Sequence, residues 1–231
     1  PDEFIPVAED SGLILALGEW VVDAACKQLQ AWRKAGLPTV RLALNLSAKQ
    51  FHQPDLFERL VAVMEKYDLE HSMLEFELTE SAVMDNVESA IKQLQEIRAL
   101  GIELSVDDFG TGYSSLSYLH RFPLNTLKID RSFVMNMSEN ENIEIVRTII
   151  ALAGSLGMEV IAEGIETVHQ LAQLRDLTCK YGQGYYMSKP LDKEAANFFI
   201  QDEARLQMLF APIFAQESQE QHITVTSGSI M

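Results

Sequence analysis

The sequence predicts an α/β fold of the (β/α)₈ TIM-barrel type, and three observations lead to this prediction. Short β-rich runs alternate with amphipathic helical patterns from residue 40 onward, which is the order of repeated βα units. The chain has 231 residues, a length that α/β barrels commonly reach as one domain. Hydrophobic residues make up 47% and charged residues 23% of the chain, and these globular values exclude a wholly disordered protein.

Six strands are predicted from short runs of β-branched and apolar residues: Val40–Leu46, Leu74–Leu78, Glu103–Asp107, Thr126–Ile129, Glu159–Ala162 and Thr178–Gly182. Between them, apolar residues at helical spacing predict five helices: Gln53–Tyr67, Val87–Leu100, Tyr113–Arg121, Ile143–Leu156 and Thr167–Leu174. Gly101 and Gly157 follow two of these helices, at the point where a left-handed residue commonly ends a helix. A last helix is expected from about Asp192 into the 200s.

The amino-terminal part differs because it begins with a helix and has no strand before it. Ser11–Ala35 places Leu13, Leu17 and Trp20 on one helical face. A closed barrel of this type needs eight strands, so we expect one or two strands of the same barrel to lie upstream of Pro1. Residues 1–205 are predicted to form the barrel, and residues 206–231 the end of the last helix and a flexible tail.

The composition excludes several classes of partner. Lys and Arg number 18 and Asp and Glu 34, which gives a formal net charge of −16, so the chain should repel nucleic-acid polymers and anionic membrane surfaces. No apolar stretch is long enough to insert into a bilayer, which favours a cytoplasmic protein or the cytoplasmic part of a membrane-tethered one. Cys26 and Cys179 are expected to be reduced thiols in the core.

Polar residues end every predicted strand, and the functional prediction depends on this regularity. In chain order they are Asn45, Glu77, Asp107 with Asp108, Lys128, Glu163 and Gln183. The carboxyl ends of parallel barrel strands converge on one rim, where such folds place their chemistry. A half-exposed strand is the alternative for Glu75 and Glu77, which alternate with apolar residues, but it does not account for six strand ends in succession.

Carboxylates that converge on one rim repel each other, by about 4 kcal/mol for two charges 4 Å apart at an effective dielectric constant of 20. They therefore have to bind protons or metal ions. Carboxylate and amide oxygens suit Mg²⁺ or Mn²⁺, and Asp107 with Asp108 could hold two ions of the kind that cleave phosphodiesters. Taken alone, Asp-Asp-Phe-Gly is equally consistent with a turn. The sequence contains no GxSxG elbow, Walker loop or GxGxxG motif.

Seven sequence motifs occur in an order that is typical of one protein family. They are FIPVAEDSGLI, NLSAKQF, FELTES, VDDFGTGYSSLSYL, LKIDRSFV, VIAEGIET and YGQGYYMSKPL. In these motifs, over roughly residues 1 to 195, the chain resembles the EAL domain family. The resemblance implies a (β/α)₈-like barrel that hydrolyses cyclic di-GMP to the linear dinucleotide pGpG with Mg²⁺ or Mn²⁺ as cofactor.

The resemblance also implies a role for each rim residue. Two metal ions would be held by Asn45, Glu77, Asp107, Asp108 and Glu163. Glu163 would also take the proton from the attacking water, and Lys128 would orient that water or stabilise the charge developing on the phosphate. Gln183 and Glu166 would line the substrate site.

Further implications concern parts of the protein outside the rim. Glu80 would hold the loop Asp108–Ser115 in place. The glutamate of the Glu-Ala-Leu signature, another metal ligand, would lie upstream of residue 1, which leaves open the activity of residues 1–231 by themselves. Such relatives often form homodimers and often follow a sensor or GGDEF domain. The alternative function is a receptor module that binds cyclic di-GMP without cleaving it, whereas a purely structural barrel leaves Lys128 and the aspartate pair unexplained.

Overall fold

Six parallel strands form one sheet in the computed structural model, which describes residues 1, 3–84, 86–110, 116–137 and 140–202. The strands are β1 (Leu42–Asn45), β2 (Leu74–Thr79), β3 (Glu103–Phe109), β4 (Thr126–Ile129), β5 (Glu159–Ala162) and β6 (Tyr181–Gly182). Each strand pairs with the next one along the chain. This sequential parallel order is that of a TIM barrel, and it confirms the predicted α/β class.

Helices connect the strands and flank the sheet. They are α1 (Phe4–Ser11), α2 (Leu13–Lys34), α3 (Ala48–Phe51), α4 (Leu56–Tyr67), α5 (Glu80–Met84), α6 (Val87–Ala99), α7 (Leu116–Leu119), α8 (Arg131–Met135), α9 (Asn140–Ser155), α10 (Val168–Asp176) and α11 (Lys193–Gln201). A 3₁₀ turn, His71–Met73, leads into β2. None of the helices in the described part of the chain is long and apolar enough to cross a membrane.

Most predicted elements agree with the structure to within three residues at each end, and three need a separate description. The helix expected over Ser11–Ala35 is α2, which begins at Leu13 because Gly12 adopts φ 78° and interrupts the helical backbone; α1, which ends at Ser11, was not predicted. The strand expected over Thr178–Gly182 is limited to β6, because Thr178 has φ 62° and belongs to the turn that follows α10. The helix expected over Tyr113–Arg121 is represented by α7, and residues 113–115 lie outside the described residues.

The core lies between the sheet and its helices. Leu74, Phe76 and Leu78 of β2 are buried, and α6 packs its apolar face, including Leu94, into the same core. Gly101 and Gly157 both have positive φ, as predicted for residues that end helices. Cys26 is buried, Cys179 is half-buried, and both are free thiols as expected.

Glu75 is a fully buried acidic residue near the amino end of β2. Its Oε2 lies 3.6 Å from Nη1 of Arg41, and neither carboxylate oxygen has a hydrogen-bond partner among the described residues. Burial raises the pKa of this carboxyl group above its usual value, because a low-dielectric environment disfavours the charged form. The half-exposed alternative is therefore wrong for β2, where Glu75 and Glu77 are 0% and 7% exposed.

We expect Glu75→Gln to stabilise the protein at pH 8. A carboxyl group whose pKa is raised by folding binds more protons in the folded than in the unfolded state, so its ionisation lowers stability as the pH rises above the usual pKa of 4.5. The neutral amide of glutamine avoids this penalty. Urea unfolding should therefore show a gain in the free energy of unfolding at pH 8 that shrinks toward pH 5.

Glu103→Gln is the matched control for this prediction. Glu103 faces the same Arg41 at 3.9 Å, but its side chain is 26% exposed, so the charge is solvated and its removal should change stability little. An equal gain from both variants, or none from Glu75→Gln at pH 8, would show that buried charge does not limit stability here.

Candidate active site

Lys128 lies at the centre of a group of acidic side chains from neighbouring strands. It is the third residue of β4, and only 2% of it is exposed. Its Nζ lies 2.7 Å from Oε1 of Glu77, 3.3 Å from Oδ1 of Asp107 and 2.6 Å from Oε1 of Glu163. Because these residues come from β2, β3 and the position after β5, the strand ends do converge on one place.

A bulge in β3 brings the adjacent residues Asp107 and Asp108 to the same site. Successive side chains of a regular strand point to opposite faces, but the β3–β4 register shifts between Val106 and Phe109 and Asp108 adopts φ 54°. Such a bulge redirects a side chain, so that carboxylate oxygens of Asp107, Asp108 and Glu163 all lie within 4.8 Å of one another. The two aspartates are thus part of β3 rather than of a simple turn.

The electrostatics of the cluster keep Lys128 charged. Burial by itself would lower the pKa of Lys128, but Glu77, Glu163 and Asp107 together raise it above its usual value. Burial raises the pKa values of Glu77 and Glu163, and Lys128 opposes that rise. Burial and the charges of Asp107 and Asp130 raise the pKa of Asp108.

The donor set fits a divalent cation. When all five groups are ionised, the carboxylates of Glu77, Asp107, Asp108 and Glu163 outnumber the single ammonium of Lys128 by three charges. Three of these carboxylates approach closely enough to share an ion, and oxygen donors of this kind suit Mg²⁺ or Mn²⁺. A bound cation would remove the repulsion that otherwise raises the pKa of Asp108.

The remaining predicted residues lie at the end of β1 and in the segments that follow β5 and β6. Asn45 ends β1, is paired in register with Glu77, and is exposed. Gln183 follows β6; its backbone N–H donates to the carbonyl of Ala162 at 2.8 Å and its side chain is exposed. Glu166 is exposed in the loop after β5.

Glu80, the first residue of α5, is buried at 6% exposure. Its Oε2 has no hydrogen-bond partner among the described residues. Residues 111–115 of the loop that it is expected to hold lie outside the described part of the chain, so the supporting role of Glu80 stays a prediction.

Two residues that the sequence analysis did not select lie next to the site. Asp130 follows β4, accepts a hydrogen bond from the backbone N–H of Ser132 at 3.0 Å as the N-cap of α8, and raises the pKa of Asp108. Gln170 binds the backbone of the loop that carries Glu166. The Thr167-x-x-Gln170 spacing of a capping box is the sequence signal that could have identified Gln170.

Comparison with known proteins assigns this arrangement to a family. The family model described as EAL domain matches residues 1–190. The chain belongs to the EAL domain family. The resemblance found in the sequence motifs is therefore confirmed.

Relatives of this EAL domain include named signalling proteins. The cyclic di-GMP phosphodiesterase NbdA of Pseudomonas aeruginosa is 43% identical over 201 residues, which cover 87% of this chain and 26% of NbdA. The signaling protein YkoW of Bacillus subtilis is also 43% identical over 201 residues, covering 87% of this chain and 25% of YkoW. The EAL domain thus spans about a quarter of the length of these curated relatives.

A solved structure shares the fold of this EAL domain. The structure of the PaMucR phosphodiesterase in complex with c-di-GMP is 40% identical to it, with a TM-score of 0.82. The match covers 85% of this chain and 80% of the PaMucR chain. At this identity the likeness concerns both the fold and the family.

Proposed function

We propose that this EAL domain hydrolyses cyclic di-GMP to linear pGpG with Mg²⁺ or Mn²⁺, two ions in all, bound at the strand ends. The observation that carries the proposal is the buried Lys128 in contact with Glu77, Asp107 and Glu163, beside the redirected Asp108. A purely structural barrel has no need of such a cluster, because well-packed hydrophobic residues are often at least as stabilising as buried ion pairs. The relatives NbdA and PaMucR, both named phosphodiesterases, support the same chemistry.

The acidic residues divide into two sets around the proposed ions. Asn45, Glu77 and Asp107 would hold one ion, and Asp107, Asp108 and Glu163 the other. When bound, the ions supply positive charge that offsets the phosphate charge and lower the pKa of water. They also make it possible for a chain with a net charge of −16 to accept an anionic substrate.

Glu163 and Lys128 would be the catalytic residues. Burial raises the pKa of Glu163, which makes its carboxylate a better proton acceptor near neutral pH. The ammonium of Lys128 holds the Glu163 carboxylate at 2.6 Å and remains a cation able to stabilise charge that develops on the phosphate. The exposed side chains of Gln183 and Glu166 would contact the substrate at the open side of the site.

The proposal extends to the setting of this EAL domain. Because the chain spans about a quarter of NbdA and YkoW, we expect a sensor or GGDEF domain to accompany it, with the EAL domain working as a cytoplasmic homodimer.

An assay with purified protein tests the proposed function. Cyclic di-GMP is incubated with Mn²⁺ or Mg²⁺ and a protein extended upstream of residue 1 to include the expected Glu-Ala-Leu segment, and the products are separated by chromatography. We expect pGpG to form with either ion and to be absent when EDTA is added. Binding of cyclic di-GMP in calorimetry without any product would contradict hydrolysis and favour the alternative, a receptor module.

A further inference from the structure

We propose that Gln170 is a positioning residue that fixes the loop between β5 and α10 against α8 and so keeps Glu163 beside Lys128. Its effect on turnover rests on the proposed phosphodiesterase function, whereas its effect on cation binding does not. Gln170 lies in the first turn of α10 and contacts neither Glu163 nor Lys128 through its side-chain hydrogen bonds. Any influence on the site therefore acts through the loop.

The loop has one end that is tightly held. The backbone N–H of Glu163 donates to the carbonyl of Ile129 at 3.1 Å, and that of Ile165 donates to the carbonyl of Gln183 at 3.1 Å. Gly164 has φ 72°, and a Cβ on it would lie 2.5 Å from Cβ of Arg131. The loop thus runs directly against the first residue of α8, so a small displacement at either end would change this contact.

Gln170 holds the other end. Its Oε1 accepts hydrogen bonds from the backbone N–H groups of Glu166 at 2.8 Å and Thr167 at 2.9 Å. Two donors on one oxygen determine the orientation of the amide, which turns Nε2 toward the carbonyl of Val134 at 3.4 Å. One side chain therefore contacts both the end of the loop and α8.

This contact matters for the site because α8 follows β4 almost directly. Lys128 lies on β4, and α8 begins at Arg131. If the loop is fixed relative to α8, the position of Glu163 is therefore fixed relative to Lys128. The charged groups of these two residues lie 2.6 Å apart. The same contacts fix the backbone of Glu166, which the proposed function places in the substrate site.

Thr167 offers a matched control in the same capping box. Its Oγ1 accepts a hydrogen bond from the backbone N–H of Gln170 at 3.2 Å, and this bond lies within α10 and its cap. Thr167→Ala should therefore weaken the start of the helix while the bonds from Gln170 to the loop remain. Gln170→Met, by contrast, keeps the length of the side chain but removes every polar contact to the loop and to α8.

Calorimetry with Mn²⁺ alone and steady-state kinetics with cyclic di-GMP separate the two variants. We expect Gln170→Met to weaken Mn²⁺ binding at least fivefold and to lower kcat at least tenfold, with KM within twofold of the wild type. Thr167→Ala should leave the Mn²⁺ affinity, kcat and KM within twofold of the wild type. It should lower Tm about as much as Gln170→Met does. Gln170→Glu should recover only part of the Mn²⁺ affinity, because a carboxylate oxygen accepts both N–H bonds but cannot donate to the carbonyl of Val134.

Each outcome of this comparison bears on the inference. Equal effects of Gln170→Met and Thr167→Ala on Mn²⁺ affinity would overturn the positioning role. If Gln170→Met does not fold, Gln170→Ala is compared with Thr167→Ala in the same way. If the wild type forms no pGpG, the phosphodiesterase proposal is contradicted. The positioning role is still supported in that case if Gln170→Met weakens Mn²⁺ binding more than Thr167→Ala does.

Discussion

Glu163→Gln should abolish Mn²⁺-dependent formation of pGpG in a protein extended upstream of residue 1 to include the expected Glu-Ala-Leu segment, with a loss in kcat on the order of a thousandfold. The amide cannot accept a proton from water, and loss of a general base typically costs 10²- to 10⁴-fold, or about a thousandfold in the middle of that range. It also removes one of the three carboxylates that lie within 4.8 Å of one another. Product chromatography under saturating cyclic di-GMP measures the effect.

The fold of this variant should survive, which separates a chemical effect from an unfolding effect. Lys128 keeps Glu77 at 2.7 Å and Asp107 at 3.3 Å, so its charge stays paired. Glu58→Gln makes the same chemical change at an exposed position of α4 and should leave kcat unchanged. Undiminished turnover by Glu163→Gln would remove Glu163 from the mechanism, and equal losses in both variants would point to a general effect of charge.

Lys128→Met should destabilise the metal-free protein and reduce turnover at least about a hundredfold. Removing one partner of a buried ion pair typically costs about 3–5 kcal/mol because the other charge remains buried, and Glu77 and Glu163 would both lose their partner. Their pKa values, already raised by burial, should rise further. The loss of stability should therefore be greatest at pH 8 and smaller at pH 5, where the carboxyl groups take up protons.

Mn²⁺ should affect the stability and the turnover of Lys128→Met differently. Without the ammonium, the carboxylates attract a divalent cation more strongly, so we expect Mn²⁺ to bind at least as tightly as in the wild type and to recover part of the stability without recovering turnover. Lys92→Met on α6, where the side chain is 79% exposed and lies 4.0 Å from Glu96, is the control. Equal loss of stability in both variants, or weaker Mn²⁺ binding by Lys128→Met, would contradict the account.

Much of the fold and part of the site follow from local patterns in the sequence. The bounds of β4 and β5 agree with the prediction, because short apolar runs between turn residues specify buried parallel strands. The convergence of Glu77, Asp107, Lys128 and Glu163 follows from strand ends meeting on one side of a parallel sheet. Strands β4 and β5 therefore place Lys128 and Glu163 at the rim, as the sequence predicts.

The features that sequence reasoning missed depend on contacts distant in the chain or on backbone conformation. Alternation of Glu75 with apolar residues is the same for a solvated strand and for a barrel interior, so the burial of Glu75 could not be read from the pattern. Asp108 is expected at the rim from the sequence, but the φ of 54° and the register shift that direct its side chain there are not. The capping-box spacing indicates the bonds of Gln170 to the adjacent loop, but not its contact with the carbonyl of Val134, which lies 36 residues away in the chain.

Anomalous X-ray scattering from crystals soaked in Mn²⁺ tests the central claim most directly, namely that the strand ends hold divalent cations. We predict a peak within about 2.5 Å of carboxylate oxygens of Asp107, Asp108 and Glu163, which should disappear in crystals of Glu163→Gln. Strong Mn²⁺ peaks elsewhere on the protein, with none among these three carboxylates, would contradict it.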